Sequence, residues 1–599
     1  MMKMMNTSFS LMTVKDLVDE ISSNKILIPE FVDGHSHNYI YSWLDLKGIE
    51  ELFENIFTGQ PVGNDAGSNF IGPAGSLVLW DIAEPVPNIM FYGFVRHFSE
   101  VSIFDPNRKV NPKRFEMGTV PFRAVLDGAD LLEFLYLGLR GTIASSSVER
   151  KNCYVKKDYP PRTLYLNLYR PDEKKCGEKV LFRFLTDDEC ERESQNGGTW
   201  VKAGRILDED VKSIIDSVTL PPNALKKAEE ILIRLDDRIN IQEMIYCCCI
   251  DEGSFDDAFE MFFSITPNCM DHKVGTLLYI LAVHWKLYDA KDEFKRLEEF
   301  IGLPDPHFKN VYYILNTCMV LTCDEFDCGE FGLTVQNLRQ HVHEIEDDWI
   351  RIERSLRYVY GLFKKIWGKD HPCVKSGIEN ILVYWFFKKG IRYENYHDDL
   401  TAVKKWMAMW KLHDEKHFIN AEAMRTIKAF IDKTESDLFP FDEIKHFMIK
   451  RNIWKPFTDA DIETVISSRA DHSRTEYLLP LLCQDEIAEE SGMTKIVHLH
   501  PMSFFENREA FREVFWGTED YIVATDWKIW NSVLNLCIVS HEKAYMKERM
   551  SLSEWVEKAC MANNGLCVDD GISLDIKDFR AFIENRKKNI TAVLRDLLQ

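Results

Sequence analysis

The spacing of apolar side chains changes character along the chain. In 13–23 (TVKDLVDEISS), Val14, Leu17, Val18 and Ile21 recur at helical spacing, so a helix is expected. KILIPEF (25–31) reads as a strand halted by Pro29. In 46–63 (LKGIEELFENIFTGQPVG), Ile49, Leu52, Phe53, Ile56 and Phe57 share one helical face, and Gly59 sits where a C-terminal cap belongs. After a Gly/Asn-rich insert, SLVLWDI (76–82) predicts a strand. FRAVLDG (122–128) predicts a strand running into the helix ADLLEFLYLGLRG (129–141), and TLYLNLYR (163–170) and KVLFRFLT (179–186) are patterned as sheet strands.

From 220 to 435 helical periodicity dominates, as in 224–239, 273–288, 347–367 and 400–412. The tryptophans and phenylalanines there fall at helical spacing, which marks packing core. From 436 onward the pattern is mixed again. TKIVHLHPMSFF (494–505) reads as a strand entering an irregular turn. WNSVLNLCIVSHEKAYMKERMSLSEWVEKA (530–559) reads as a turn or short strand followed by helix. The expected fold class is α+β multidomain: an α/β N-terminal domain over 1–212, a large helical middle over 213–450, and a compact α/β domain over 451–599.

Composition narrows the class. Of 599 residues, 45% are hydrophobic and 28% charged, which excludes a disordered chain, a collagen and a small disulfide scaffold. No apolar run approaches the ~18–20 residues that span a bilayer, and Gly275–Trp285 is among the longest. The opening MMKMMNTSFSLMT has no continuous apolar segment before a cleavage site, so no secretory signal is expected. The 15 cysteines are odd in number, and Cys247, Cys248 and Cys249 are consecutive, which points to reduced thiols in a cytoplasm. Cys318, Cys323 and Cys328 are spaced too widely for an ordinary zinc site. The net charge of −23 repels nucleic acid at long range, so DNA contact would need a local basic groove or a metal ion. The acidic runs Asp187–Glu193 and Glu344–Asp348 are expected as solvated surface, as are Arg108–Arg114 (a loop) and Arg586–Lys588 (a helix end).

Several short motifs occur in an order that resembles one family. They are Ile28-Pro29-Glu30-Phe31, Trp43, Gly59-Gln60-Pro61-Val62-Gly63, the strand Leu77–Trp80, Leu126-Asp127-Gly128-Ala129-Asp130-Leu131, Tyr136-Leu137-Gly138-Leu139-Arg140-Gly141 and Trp200-Val201-Lys202. Further on come Ala258–Trp285, Val497-His498-Leu499-His500-Pro501 and Asn535-Leu536. Together they resemble the GmrSD-type, modification-dependent restriction endonucleases. The resemblance implies a ParB/sulfiredoxin-like N-terminal domain and a His-Me-finger (HNH-like) C-terminal domain.

The same resemblance implies chemistry that this chain has largely exchanged. Family members use the N-terminal domain to bind and hydrolyse nucleoside triphosphate, and Gln-Arg pairs suit that task. Here Val32 and Asp33 replace the first pair, and Ala129, Asp130 and Leu131 replace Gln-Gln-Arg. A carboxylate facing a phosphate reverses the attraction, by about 4 kcal/mol per unit pair at ~4 Å and a dielectric of ~20. Asp127 and Gly128 remain as nucleotide-site remnants, Gly128 for the strand-to-helix turn. Arg-x-Asn-Ser-Gly-Gly becomes Ser264-Ile265-Thr266-Pro267-Asn268-Cys269. In the nuclease-like part His498 persists as general base and Asn535 as a supporting amide, but Val497 replaces the metal-binding acid and Ala544 the distal asparagine. His500, Asp526 and His541 are the candidate substitute ligands. The bland reading of His498 is a hydrogen-bonded histidine that preserves a core.

The expected function is therefore that of a degenerate relative of NTP-dependent DNA restriction endonucleases of anti-phage defence, acting in the cytoplasm as a binding, sensing or regulatory pseudoenzyme with no cofactor. Its partner would be DNA or a protein, an active paralogue or a phage component, with no membrane. The alternative is an active metal-dependent endonuclease using His498 with Mg²⁺ or Mn²⁺. A nucleotide-binding switch at Asp127 and Gly128 is a third.

Overall fold

A computed structural model describes residues 6–33, 46–59, 75–99, 114–115, 121–144, 159–170, 181–251, 253–265, 275–302, 307–323, 333–367, 378–412, 421–482, 494–547, 550–559 and 563–599. The protein is mixed α/β with a large helical part. It divides into two compact units, Met1–Val283 and His284–Gln599.

The first unit is built on a seven-stranded sheet. Its strands are β1 (Thr7–Met12), β2 (Ile26–Pro29), β3 (Ser76–Ile82), β4 (Phe91–Tyr92), β6 (Arg114–Phe115), β7 (Phe122–Asp127) and β12 (Ile245–Ile250), in the order β1-β12-β3-β7-β2-β4-β6. β2 runs parallel to β7 and β12 parallel to β3, while the other neighbours are antiparallel. A second sheet has the order β10-β9-β8-β5, from β5 (His97–Ser99), β8 (Thr142–Ala144), β9 (Pro161–Tyr169) and β10 (Phe182–Leu185). β11 (Thr199–Lys202) also pairs with β9.

The amphipathic stretches predicted from spacing form as helices. α1 (Val14–Ser22) buries Val14, Leu17, Val18 and Ile21, and its N-cap Thr13 accepts from the Asp16 N–H. α2 (Leu46–Thr58) buries the five residues of its predicted face. α3 (Ala129–Leu139) follows β7 directly and lies so close to α2 that a Cβ on Gly138 would meet the Phe53 ring at 2.2 Å. Phe31 is fully buried among the rings of Phe255, Phe259 and Phe262, 5.3–5.9 Å away. These belong to a helix, Phe255–Ile265.

Several strands escaped the periodicity reading: β1, β12 and the two- or three-residue β4, β5, β6 and β8. β12 is the tricysteine segment, inside the stretch expected to be helical, and it joins the sheet between β1 and β3. Its β-branched and small polarizable side chains fit a pleated surface, but its neighbours in sequence are helices: Leu225–Asp236 before it and Phe255–Ile265 after it. β1 carries too few apolar residues to announce a buried strand. Among the described residues Cys190, Cys247, Cys248, Cys249, Cys318, Cys323, Cys537 and Cys567 form no disulfide. Cys328 lies outside the described residues.

The second unit begins as stacked helices. They include Val335–Asp347, Trp349–Trp367, Glu379–Lys389 and Tyr396–Lys411. Their aromatic residues are the core, as the spacing implied: Trp349, Tyr360, Tyr384, Trp385 and Trp406 are almost wholly buried. Among the described residues no helix is long and apolar enough to cross a membrane. Two surface expectations are corrected. Asp187–Gln195 is a solvated helix, as its charge suggests, but within Glu344–Asp348 Glu346 is buried and accepts from the N–H groups of Lys286 (2.5 Å) and Leu287 (2.6 Å). Arg586 is buried too, and its guanidinium donates to the carbonyls of Leu566, Val533 (3.3 Å) and Leu536 (2.9 Å). Those orphan carbonyls explain why a cation is held inside a helix core.

Candidate functional site

The C-terminal part contains a two-strand and helix unit. β13 (Thr494–His498) and β14 (Leu536–Ser540) pair antiparallel, with Ile496 opposite Ile538 and His498 opposite Leu536. A following helix, His541–Lys547, packs on both strands. His498 ends β13 half-buried, and its Nε2 lies 3.1 Å from Oδ1 of Asn531. Burial pushes its pKa down, partly offset by the Asn531 amide and the Glu506 charge. The imidazole is therefore neutral near pH 7. With an amide oxygen facing Nε2, that nitrogen carries the proton and Nδ1 the lone pair.

Asn535 is fully buried and does not bond the His498 ring. Its Oδ1 accepts from the His500 N–H (2.8 Å), and its Nδ2 donates to the carbonyls of His500 (2.9 Å) and Trp530 (2.8 Å). It clamps the chain leaving β13 to the segment that carries Asn531, and so positions the imidazole at one remove. Asn531 was not singled out from sequence. Its only signal is its place four residues before Asn535.

The remaining candidates scatter. His500 is 1% exposed and wedged against the rings of Phe579 (5.5 Å) and Phe582 (4.9 Å), where burial and the Lys547 and Arg586 charges pull its pKa down to about 3. Asp526 is exposed and caps a short helix by accepting from the Lys528 N–H at 3.0 Å. His541 is exposed at the start of its helix. No hydrogen bond among the described residues joins either of them to His498. Val497 faces Cys537 across the ladder, and Ala544 is buried. Neither side chain has a donor atom for a cation. Among the described residues no group of three or more His, Cys, Asp or Glu side chains is placed to hold a metal ion. A hard divalent cation does not fit these residues.

In the first unit, Asp127 ends β7 and Gly128 is the N-cap of α3 at φ +88. A Cβ there would lie 2.4 Å from Leu77 Cδ2 and 3.0 Å from the Ser76 carbonyl, so the turn requires glycine. Asp127 and Asp130 share this turn. Desolvation pushes both exposed carboxyls up, Asp130 also through the Asp127 charge. Arg140, the arginine that the motif retains, lies at the far end of α3 and is spent on Asp208 (2.8 Å) and Asp19 (3.6 Å). The side chains at this turn, Asp127 and Asp130, are carboxylates, with no arginine, lysine or amide beside them in sequence to meet an incoming phosphate. Trp43, the Gly34–Ile40 insert, Gln60–Gly63, Arg108–Lys113, Thr266–Cys269 and the Asp33 side chain lie outside the described residues.

Neither protein-family models nor curated proteins give a match to this chain.

Proposed function

We propose that the chain is a binding or regulatory protein built on an endonuclease-like scaffold, a degenerate relative of the NTP-dependent restriction endonucleases of anti-phage defence. On this reading the first unit derives from a ParB/sulfiredoxin-like domain and the β13–β14–helix unit from a His-Me finger. One observation carries the proposal: His498 is kept neutral by burial and oriented at the strand end by Asn531, while the positions that would ligate a cation are the aliphatic Val497 and Ala544. The support around the base survives without the group it would act beside. The carboxylates at the Asp127 turn point the same way for nucleotide hydrolysis. The test is incubation with Mg²⁺ or Mn²⁺, several NTPs, and modified and unmodified DNA. Turnover no higher than that of His498→Ala is expected. Turnover that His498→Ala abolishes would overturn the reading.

That same outcome would establish the second reading, an active nuclease with His498 as base. It has one observation in its favour: a neutral imidazole with an oriented proton is the state a general base needs. It further requires Mn²⁺ density within coordination distance of His498 in soaked crystals.

A further inference from the structure

The second unit carries a cleft that neither site above uses. It lies between helix Ala421–Lys433 and the end of helix Phe441–Lys450, and its volume is about 540 Å³. On the first helix Glu422, Arg425, Phe430 and Lys433 fall at i, i+3, i+8 and i+11, and so on one face. The second element contributes Phe447 and Arg451. Phe430 and Phe447 are half-buried and stacked, with ring centroids 4.6 Å apart and planes at 26°. The Arg451 guanidinium lies over Phe447 at 5.7 Å. Arg425 and Lys433 are exposed and have no ion-pair or hydrogen-bond partner among the described residues.

The lining thus sets three cations against the single carboxylate of Glu422, in a chain of net charge −23. Several arginines elsewhere are paired: Arg205 with Glu209, Arg357 with Glu353, Arg595 with Asp459. Cations left unpaired beside a stacked aromatic floor match a ligand that offers both negative charge and a flat π-face.

We propose that this cleft binds single-stranded nucleic acid, with a base against the Phe430–Phe447 pair and phosphates on Arg425, Lys433 and Arg451. The backbone positions of Arg425 and Lys433 are ~12 Å apart along the helix, a span suited to two phosphates of one strand with one phosphate between them. Stacking on phenylalanine needs an unpaired base, which excludes a duplex, and an acidic peptide would leave the aromatic floor unused. The proposal does not rest on the reading of His498.

The experiment is fluorescence anisotropy of a short fluorescein-labelled oligothymidylate with the full chain, at low salt and in EDTA. The double variant Arg425→Glu/Lys433→Glu should weaken binding at least tenfold. It should also flatten the slope of log affinity against log salt by about 1.4, from two lost contacts at ~0.7 each. Phe430→Ala should weaken binding about 5- to 100-fold. Arg425 and Lys433 are exposed, so the charge-reversed protein should melt as wild type does. Equal affinity of wild type and the double variant overturns the proposal. So does displacement of the oligonucleotide by polyglutamate or a matched duplex as readily as by unlabelled single strand.

Discussion

His500 stands two residues from His498 in the same motif, yet the two imidazoles have opposite fates. His498 ends a strand beside a polar amide. His500 turns into a helix core, among phenylalanines and two cations, where burial and like charge outweigh the one favourable charge, Asp575. Its pKa falls from the ordinary 6.5 to about 3, with Lys547 and Arg586 adding like charge and the Asp575 charge pulling weakly the other way. The unfolded chain therefore binds a proton between pH 6.5 and 3 that the folded chain refuses, and stability must decline as pH falls through that window. At about 1.4 kcal/mol per pKa unit the full loss is on the order of 5 kcal/mol. Urea unfolding measured from pH 7 to pH 4 should show this decline, and His500→Phe should flatten it. An unchanged slope in that variant would place the effect on other groups. Nothing in the string HLHP distinguishes the two histidines. Strand alternation puts both on one face, and only the helix Phe579–Leu598 makes one of them core.

Among the elements, the β7–α3 junction shows what local sequence can specify. Leu126-Asp127-Gly128 reads as a strand ending in a glycine turn, and the structure has that turn, with φ +88 at Gly128 and Leu77 and Ser76 pressed against its Cα. Gly128→Ala should cost about 2–4 kcal/mol, from left-handed backbone strain plus the clash, and lower the melting temperature. Calorimetry that found no change would mean that β3 can yield. α1, α2 and α3 were equally legible, because an amphipathic period records burial on one side whatever supplies the other side. β12 was not legible. Its run ILIRLDDRINIQEMIYCCCI passes from an amphipathic helix into a short, wholly apolar stretch, MIYCCCI, that shows no alternation. Short apolar runs suit a buried strand and a buried helix alike. What makes it a strand is the open slot between β1 and β3, which lies far away in sequence.

The scale of the whole molecule turns on that slot. β12 pairs with β1 at Thr7–Met12 and with β3 at Ser76–Trp80, and the neighbouring helices supply Ala228, Leu232 and Leu235 to the core of the first unit and Phe255, Phe259 and Phe262 to the pocket of Phe31. A fragment of residues 1–283 should therefore unfold cooperatively in urea, and a fragment of 1–212 should show no cooperative transition by near-UV circular dichroism. A sharp transition in the shorter fragment would show that the sheet closes without β12.

By itself the sequence determined the amphipathic faces, the turn glycine, the helical and aromatic character of the second half and the strands that flank His498, because each depends on residues a few positions apart. Tertiary structure alone decided that the tricysteine segment completes a sheet, that Asn531 rather than Asn535 touches the imidazole, that His500 and Arg586 are core, and that Arg425, Lys433 and two phenylalanines from separate helices line one cleft. Those outcomes depend on partners brought from distant parts of the chain. Burial and charge pairing are properties of the assembled neighbourhood, and no local spacing encodes them.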